Sequence, residues 1–291
     1  MWRAVEFFSG IGAFAEGVRG LPVEVVAAYD QDEAANRTYR ANHGGEPRVR
    51  NLDAIRAGDI PPAELWWLSP PCQPFSRRGV QRDDEDPRAA SFLNLITALA
   101  ECRPAAVCVE NVCGFAGSRV HARLLTALAA AGYGVAEVEL CPTRFGVPMQ
   151  RPRRFVLARR GAEARLPEAP AVPRAWEPPL AAYLSGEGAR VDDAVVARYG
   201  RSFNVVRSDD PAASVICITS GYGRAMKAAG SYVRLADGGV RWLAPAEIVR
   251  LLGFSRAFAF PEDLPPAARY RLAGNSVDVR AVGWLVGALV R

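Results

Sequence analysis

The sequence predicts an α/β protein: a doubly wound, Rossmann-like sheet joined to a smaller, mixed second domain. Three observations predict it. Strand and helix signals alternate from Arg3 to Ala158. A glycine turn, Ser9-Gly10-Ile11-Gly12, follows the first strand, and Asp30 closes the second ~20 residues on, the spacing of a nucleoside-binding sheet. After Arg160 the alternation stops, and Pro-, Ala- and Glu-rich residues 161–180 lead into short β-rich pieces.

Taken in order, Arg3 to Phe8 is an apolar run ending at the glycine turn, as a buried strand does. Ala13 to Arg19 reads as a helix, Val23 to Tyr29 as a strand and Asp32 to Asn42 as a helix. Leu65 to Leu68 is a short strand before a Pro-Pro turn. Phe92 to Ala100 has helical spacing, and Ala105 to Val109 is an apolar strand followed at once by Glu110-Asn111. Val120 to Ala131 is a helix closed by Gly132, and Val135 to Leu140 and Phe155 to Ala158 complete the strands. Beyond the linker, Phe203 to Val206 and Ser214 to Thr219 are strand pieces. Gly221 to Gly223 and Asp237-Gly238-Gly239 are turns, Pro245 to Gly253 a helix, and Val277 to Val290 an apolar helix suited to docking on the sheet. This divides the chain into a larger domain, 1–160 with 268–291, and a smaller one, 161–267.

Composition narrows the function. Half of the 291 residues are hydrophobic and 23% are charged, a globular balance with ample length for a core. The net charge of +5 permits nucleic acid as a partner. Only Lys227 among 36 basic residues is lysine, and arginine suits phosphates and flat bases. Six cysteines without a CxxC pair, and only His43 and His121, argue against a structural metal or a disulfide framework. The N-terminal stretch lacks a signal-peptide pattern, and no apolar run reaches the ~20 residues of a membrane span. The expectation is a cytoplasmic monomer with no membrane partner and no metal.

The polar residues fall where strands end, at Asp30, Pro71-Cys72 and Glu110, and ligands of open α/β sheets bind beyond those ends. Glycines at 10 and 12 let the backbone approach a ligand and aim amides at it. Asp53 suits either a further polar contact or a helix N-cap. Cys72 stands between prolines in Ser69-Pro-Pro-Cys-Gln-Pro-Phe-Ser76, a stiff turn able to present a thiol, whereas Cys102, Cys108 and Cys141 sit in apolar surroundings. A thiol with a pKa near ~8.5 needs a nearby positive charge to act as a nucleophile. Glu110, ending an apolar strand, suits an acid or hydrogen-bond donor. Arg151-Pro152-Arg153 and Gly274-Asn275-Ser276 are weak signals alone.

In this order, the motifs resemble the C5-cytosine methyltransferases. Phe8-Ser9-Gly10-Ile11-Gly12 resembles their S-adenosylmethionine motif, Pro71-Cys72-Gln73 their nucleophile motif and Glu110-Asn111-Val112 their Glu-Asn-Val motif. Arg151-x-Arg153 is similar to their two base-holding arginines. Arg241 through Gly253-Phe254 resembles the helix preceding the last motif, and Gly274-Asn275-Ser276 the motif itself. Within the family, the stretch Ser69 to Gly79, Ser91-Phe92-Leu93, Arg269-Tyr270-Arg271-Leu272 and Cys217-Ile218-Thr219 are similar to the DNA-methyltransferase-like tRNA-Asp cytosine methyltransferases. Ile218 stands where that branch carries Phe, and Met149 where many DNA enzymes carry Gln.

The resemblance implies a methyltransferase sheet with a target-recognition domain. It implies S-adenosylmethionine held by Phe8, Gly10, Ile11, Gly12, Ala13, Asp30, Gln31, Asp53, Ala54, Pro71, Asn275 and Ser276. Cys72 would add to cytosine carbon 6, Glu110 would bond the ring N3 and amino group, and Arg151 and Arg153 would hold the base carbonyl and the thiolate side. The segment Ser76 to Ala90, with four arginines and an acidic run, is expected to close over the target. The 87 residues between Arg153 and Arg241 leave little room for an elaborate duplex reader. A tRNA substrate is therefore favoured over DNA. A non-catalytic nucleic-acid-binding protein conflicts with the intact chemical residues, and a nicotinamide dehydrogenase leaves Pro-Cys-Gln and Glu-Asn-Val unexplained.

Overall fold

The computed structural model describes residues 1–75, 82–225 and 229–290. In chain order the elements are β1 (Trp2–Phe7), α1 (Ala13–Gly17), β2 (Val23–Tyr29), α2 (Glu33–His43), β3 (Leu65–Leu68), α3 (Ala90–Cys102), β4 (Ala106–Asn111), α4 (Arg119–Ala130) and β5 (Tyr133–Leu140). Then come β6 (Met149–Gln150), β7 (Arg153–Arg160), α5 (Asp193–Tyr199), β8 (Asn204–Val206), β9 (Val215–Ile216), β10 (Ser231–Arg234), β11 (Val240–Trp242), α6 (Pro245–Leu251), α7 (Pro266–Asn275) and α8 (Val279–Leu289). No helix among the described residues is long and apolar enough to cross a membrane.

The chain forms two compact units. The first comprises Met1–Leu140, Pro152–Glu168 and Val282–Arg291. It holds a six-stranded sheet in the order β2-β1-β3-β4-β7-β5. The first four of these strands run parallel, so their carboxyl ends share one edge. β7 is antiparallel to both β4 and β5, which makes the sheet mixed. β3 and β4 are buried along their whole lengths, as strands covered on both faces must be. One face packs Val5, Phe7, Trp66, Leu68, Val107 and Val109 against apolar residues of α3 and α4, such as Leu95 and Leu124. On the other, Phe14 of α1 stacks on Trp67 at 5.3 Å, and Tyr39 of α2 reaches Glu6.

Local signals set the helix ends. Asp32 caps α2, accepting from the amides of Ala34 and Ala35, and Gly44 closes it in the left-handed region. Ser118 caps α4.

The second unit comprises Cys141–Arg151 and Ala169–Ala281. Its boundaries differ from those read in the sequence. Met149 and Gln150 pair in parallel with Val215 and Ile216, which takes 141–151 out of the first unit. A three-stranded sheet, β11-β10-β8, carries a buried aromatic cluster of Tyr222, Tyr232, Trp242 and Tyr270. Buried Arg241 forks onto Glu247, which also accepts the amides of Ser185, Gly186 and Ala244. Of Ser214 to Thr219, only Val215–Ile216 forms a strand.

Candidate active site

The glycine turn opens at the carboxyl end of β1. Phe8, Gly10 and Gly12 all have positive φ, at 58°, 54° and 85°. For Phe8 that conformation is strained, and strain of this kind gathers at ligand-binding turns. Asp30 fastens the turn: its Oδ2 accepts the Gly10 amide at 2.7 Å and its Oδ1 the Asp32 amide at 2.8 Å. Burial raises the Asp30 pKa, with the Asp32 and Gly10 amides opposing the rise. A Cβ on Gly10 would meet nothing within 4 Å, so the space above the turn is open.

Gln31 Nε2 is 3.5 Å from Asn51 Oδ1, which brings the 30s and 50s segments together. Asn51, and not Asp53, caps the short turn Leu52–Ala54: its Oδ1 accepts the Asp53 amide at 2.9 Å. The N-cap reading of Asp53 is thereby replaced. Its exposed carboxylate accepts the Ser91 hydroxyl.

Cys72 stands beyond the neighbouring strand, β3. The Ser69 amide donates to Phe7 O at 3.3 Å, tying this turn to the end of β1. The Phe75 amide donates to Cys72 O at 3.0 Å, and the buried Phe75 ring packs on Phe115 at 5.0 Å. Asn111 Nδ2 donates to Pro70 O at 3.1 Å. Gly114 lies so close beneath Phe75 O that a Cβ there would come within 2.5 Å of it. The partly exposed cysteine is thus held through its backbone from two sides. Arg88 supplies positive charge nearby, since its pKa is raised chiefly by Asp86 and also by Cys72. Asp86 grips that guanidinium at 2.9 and 2.6 Å, and the pairing pulls its own carboxyl down to about 2.

Glu110 lies within β4 rather than beyond it. Register places it opposite Phe155 of β7, and Arg153 lies two residues along on the same face. That diagonal brings Arg153 Nε to 3.3 Å from Glu110 Oε1, with both side chains largely buried. The next residue, Arg154, points to the opposite face and meets Glu137 at 3.1 Å.

Arg151, the other arginine expected to hold the base, has backbone partners of its own. It lies in the second unit and is buried. Its Nη1 donates to Ile218 O at 2.6 Å and to Cys217 Sγ at 3.4 Å; its Nη2 donates to Gly274 O at 2.8 Å and Ser276 O at 2.6 Å. Two amino groups are spent on three backbone carbonyls and a sulfur. Arg151 therefore ties Cys217-Ile218 to Gly274-Asn275-Ser276. A Cβ on Gly274 would strike the Thr219 carbonyl, so only glycine lets the strands of this knot pass. Asn275 is exposed, and Ser276 Oγ is buried with no partner among the described residues. Ile218 is fully buried, a packing position where one large apolar side chain can replace another.

The expected closing segment divides. Ser76–Gln81 lie outside the described residues, while residues 82–90 are ordered short turns. Asp83 accepts the amides of Arg119 and Val120 at 2.6 and 3.1 Å, and Asp84 pairs with Arg123 at 3.0 Å. No cluster among the described residues could hold a metal ion.

Asn111, Gly114 and Asp86 were not singled out as site residues from the sequence. Asn111 stood in plain sight inside Glu-Asn-Val. Gly114 and Asp86 carry no local signal, because their roles depend on which turn the fold lays against them.

A family model for C-5 cytosine-specific DNA methylase matches residues 2–181. The tRNA (cytosine(38)-C(5))-methyltransferase of Schizosaccharomyces pombe is 28% identical over 99% of this chain and 96% of its own length. The DNA (cytosine-5)-methyltransferase of Dictyostelium discoideum is 26% identical over 99% of this chain and 94% of its own. The crystal structure of S. pombe Dnmt2 methyltransferase superposes with a TM-score of 0.85 at 28% identity, covering 100% of this chain and 98% of that one. The fold, the turn that carries Cys72 and the matched model agree: this chain belongs to the C-5 cytosine-specific DNA methylase family and is a C5-cytosine methyltransferase.

Proposed function

We propose that the protein methylates carbon 5 of a cytosine in a tRNA anticodon loop, with S-adenosylmethionine as donor and Cys72 as covalent nucleophile. The observation that carries the reading is the row formed at one sheet edge: the open glycine turn, the Cys72 turn and the Glu110–Arg153 pair stand at the ends of β1, β3 and β4.

The glycine turn fits the cofactor. The space above Gly10 is open, Ser9 Oγ is buried without a partner among the described residues, and Asp30 keeps the Gly10 amide oriented. Phe8, Gly10 to Ala13, Asp30, Gln31, Asp53, Ala54 and Pro71 would hold it. When bound, S-adenosylmethionine supplies an electrophilic methyl group.

Carbon 5 of cytosine is a poor nucleophile. Addition of the Cys72 thiolate to carbon 6 turns the ring into an enamine. Glu110 bonds N3 and the amino group, drawing the electrons of the adduct through the ring. Arg153 orients Glu110 and reaches toward the base carbonyl. Arg151 acts one step back, by fixing the Asn275-Ser276 backbone. Removal of the carbon-5 proton by a base then lets Cys72 leave.

The tRNA assignment is supported by the end-to-end similarity to tRNA methyltransferases. A loop cytosine also costs less to unstack than one in a duplex. DNA is the second reading, favoured by the D. discoideum relative. The test offers labelled S-adenosylmethionine with total tRNA and duplex DNA in parallel, with Cys72→Ala as control. Label on tRNA that is lost in the variant is expected. Label on DNA alone transfers the assignment to the second reading, and label retained by Cys72→Ala removes the nucleophile.

A further inference from the structure

The glycine turn is also held from behind, by side chains outside the catalytic motifs. α2 ends on His43, whose Nε2 lies 3.1 Å from Ile11 O. A carbonyl oxygen only accepts, so Nε2 carries the proton and Nδ1 presents its lone pair. Arg19 Nη2 lies 3.4 Å from that Nδ1 and donates to Asn42 O at 2.8 Å. Arg19 Nε meets Glu16 Oε2 at 3.2 Å, and the same oxygen is 3.8 Å from His43 Nδ1. The imidazole stands edge-on to Tyr39, ring centres 4.9 Å apart, and Tyr39 OH donates to Glu6 Oε2 at 3.1 Å. Glu6 in turn accepts the Phe14 amide, at the start of α1. Gly12 backs directly onto the imidazole, where a Cβ would strike the ring.

The His43 side chain is 4% exposed, and burial lowers its pKa, which keeps it neutral and agrees with the Nε2–H form. A turn containing two glycines and a strained Phe8 is soft by composition. Ligand binding to a soft turn pays for ordering it, and a turn ordered beforehand does not. Asp30 holds the Gly10 amide and Glu6 the Phe14 amide; His43 alone among these three holds a carbonyl between them.

We propose that His43 is a positioning residue for the cofactor: its Nε2–H sets the Ile11 peptide, and with it the Gly10 to Ala13 amides, in the orientation that receives S-adenosylmethionine. The inference rests on the cofactor named above. His43→Phe keeps the ring volume and removes the donor; His43→Gln places an amide N–H near the Nε2 position. Binding of S-adenosylhomocysteine is measured by calorimetry, with steady-state kinetics on tRNA.

His43→Phe is expected to weaken binding about tenfold, the scale of one buried acceptor left unpaired. The KM for S-adenosylmethionine should rise in step, while kcat and the KM for tRNA change less than about twofold. His43→Gln should recover most of the affinity. Equal affinity in His43→Phe and wild type overturns the inference, as does a His43→Gln variant as weak as His43→Phe. Nitrogen-15 NMR of the wild-type protein provides a check independent of any variant. A His43 Nε2–H signal that moves on adding S-adenosylhomocysteine is expected, and an Nδ1–H form overturns the inference. Wild-type protein that binds no S-adenosylhomocysteine overturns the cofactor assignment itself, whereas binding with an unchanged His43→Phe overturns this inference alone.

Discussion

Arg153 Nε stands 3.3 Å from Glu110 Oε1 because β7 runs antiparallel to β4 in a register that sets them on one diagonal. The contact fixes a carboxyl group at the sheet edge where the Cys72 turn stands. Glu110→Gln keeps the shape but removes the carboxyl group. Turnover should fall by about 10²–10⁴-fold, the range of positioned acid–base groups. Arg153→Lys, a point charge without the fork, should fall less than Arg153→Ala. Single-turnover methylation checks both, with S-adenosylhomocysteine affinity expected to hold.

Arg151 behaves differently. Arg151→Ala strands the carbonyls of Ile218, Gly274 and Ser276 in a buried place, a loss on the order of 3 kcal/mol. Its signature is a lowered denaturation midpoint together with lost activity. Arg153→Lys, which keeps a positive charge beside Glu110, should in contrast lose activity with little change in the midpoint.

Gly274→Ala tests the same knot sterically. Its methyl group meets the Thr219 carbonyl and the Ser220 amide, so backbone must move. Overpacking of this kind costs roughly 1–3 kcal/mol. Thermal unfolding should show it, and Gly58→Ala, at a position where a Cβ meets nothing within 4 Å, is the comparison.

Glu6 makes stability depend on pH. Burial lifts its carboxyl from the usual carboxylate range to about 8, with the Tyr39 hydroxyl and the Phe14 amide pulling down and Asp30 pushing up. Between pH ~4.5 and ~8 the folded chain keeps a proton that the unfolded chain has lost. Stability therefore falls as pH rises through that window and levels off above it. At about 1.4 kcal/mol per pKa unit, the full effect is on the order of 5 kcal/mol. Glu6→Gln should flatten the fall, seen as a smaller difference between melting points at pH 5 and pH 8 than in wild type.

Much of the first unit was legible in the sequence because its signals are local. Val23–Tyr29 and Leu65–Leu68 are strands to the residue, marked by apolar runs and by polar or proline stops. The turn at Cys72 was legible because prolines confine it. The direction of β7 was not, since an apolar run such as Phe155 to Ala158 carries no sign of whether it pairs parallel or antiparallel. The fate of Arg151 was equally hidden. Its partners lie at 217–218 and 274–276, and they are backbone atoms, which no residue pattern reports.

The antiparallel β7 also bears on how the chain is made. Ribosomes release β4 before β7, and until β7 arrives the Ala106-Val107-Cys108-Val109 ladder has an open side. An apolar strand with unpaired amides is a template for sticking to another chain. A nascent chain paused short of Arg153 exposes that side, and a protein cut after Gln150 keeps it exposed for good. The strand that carries Glu110 is thus the place where premature termination turns an enzyme into an aggregate.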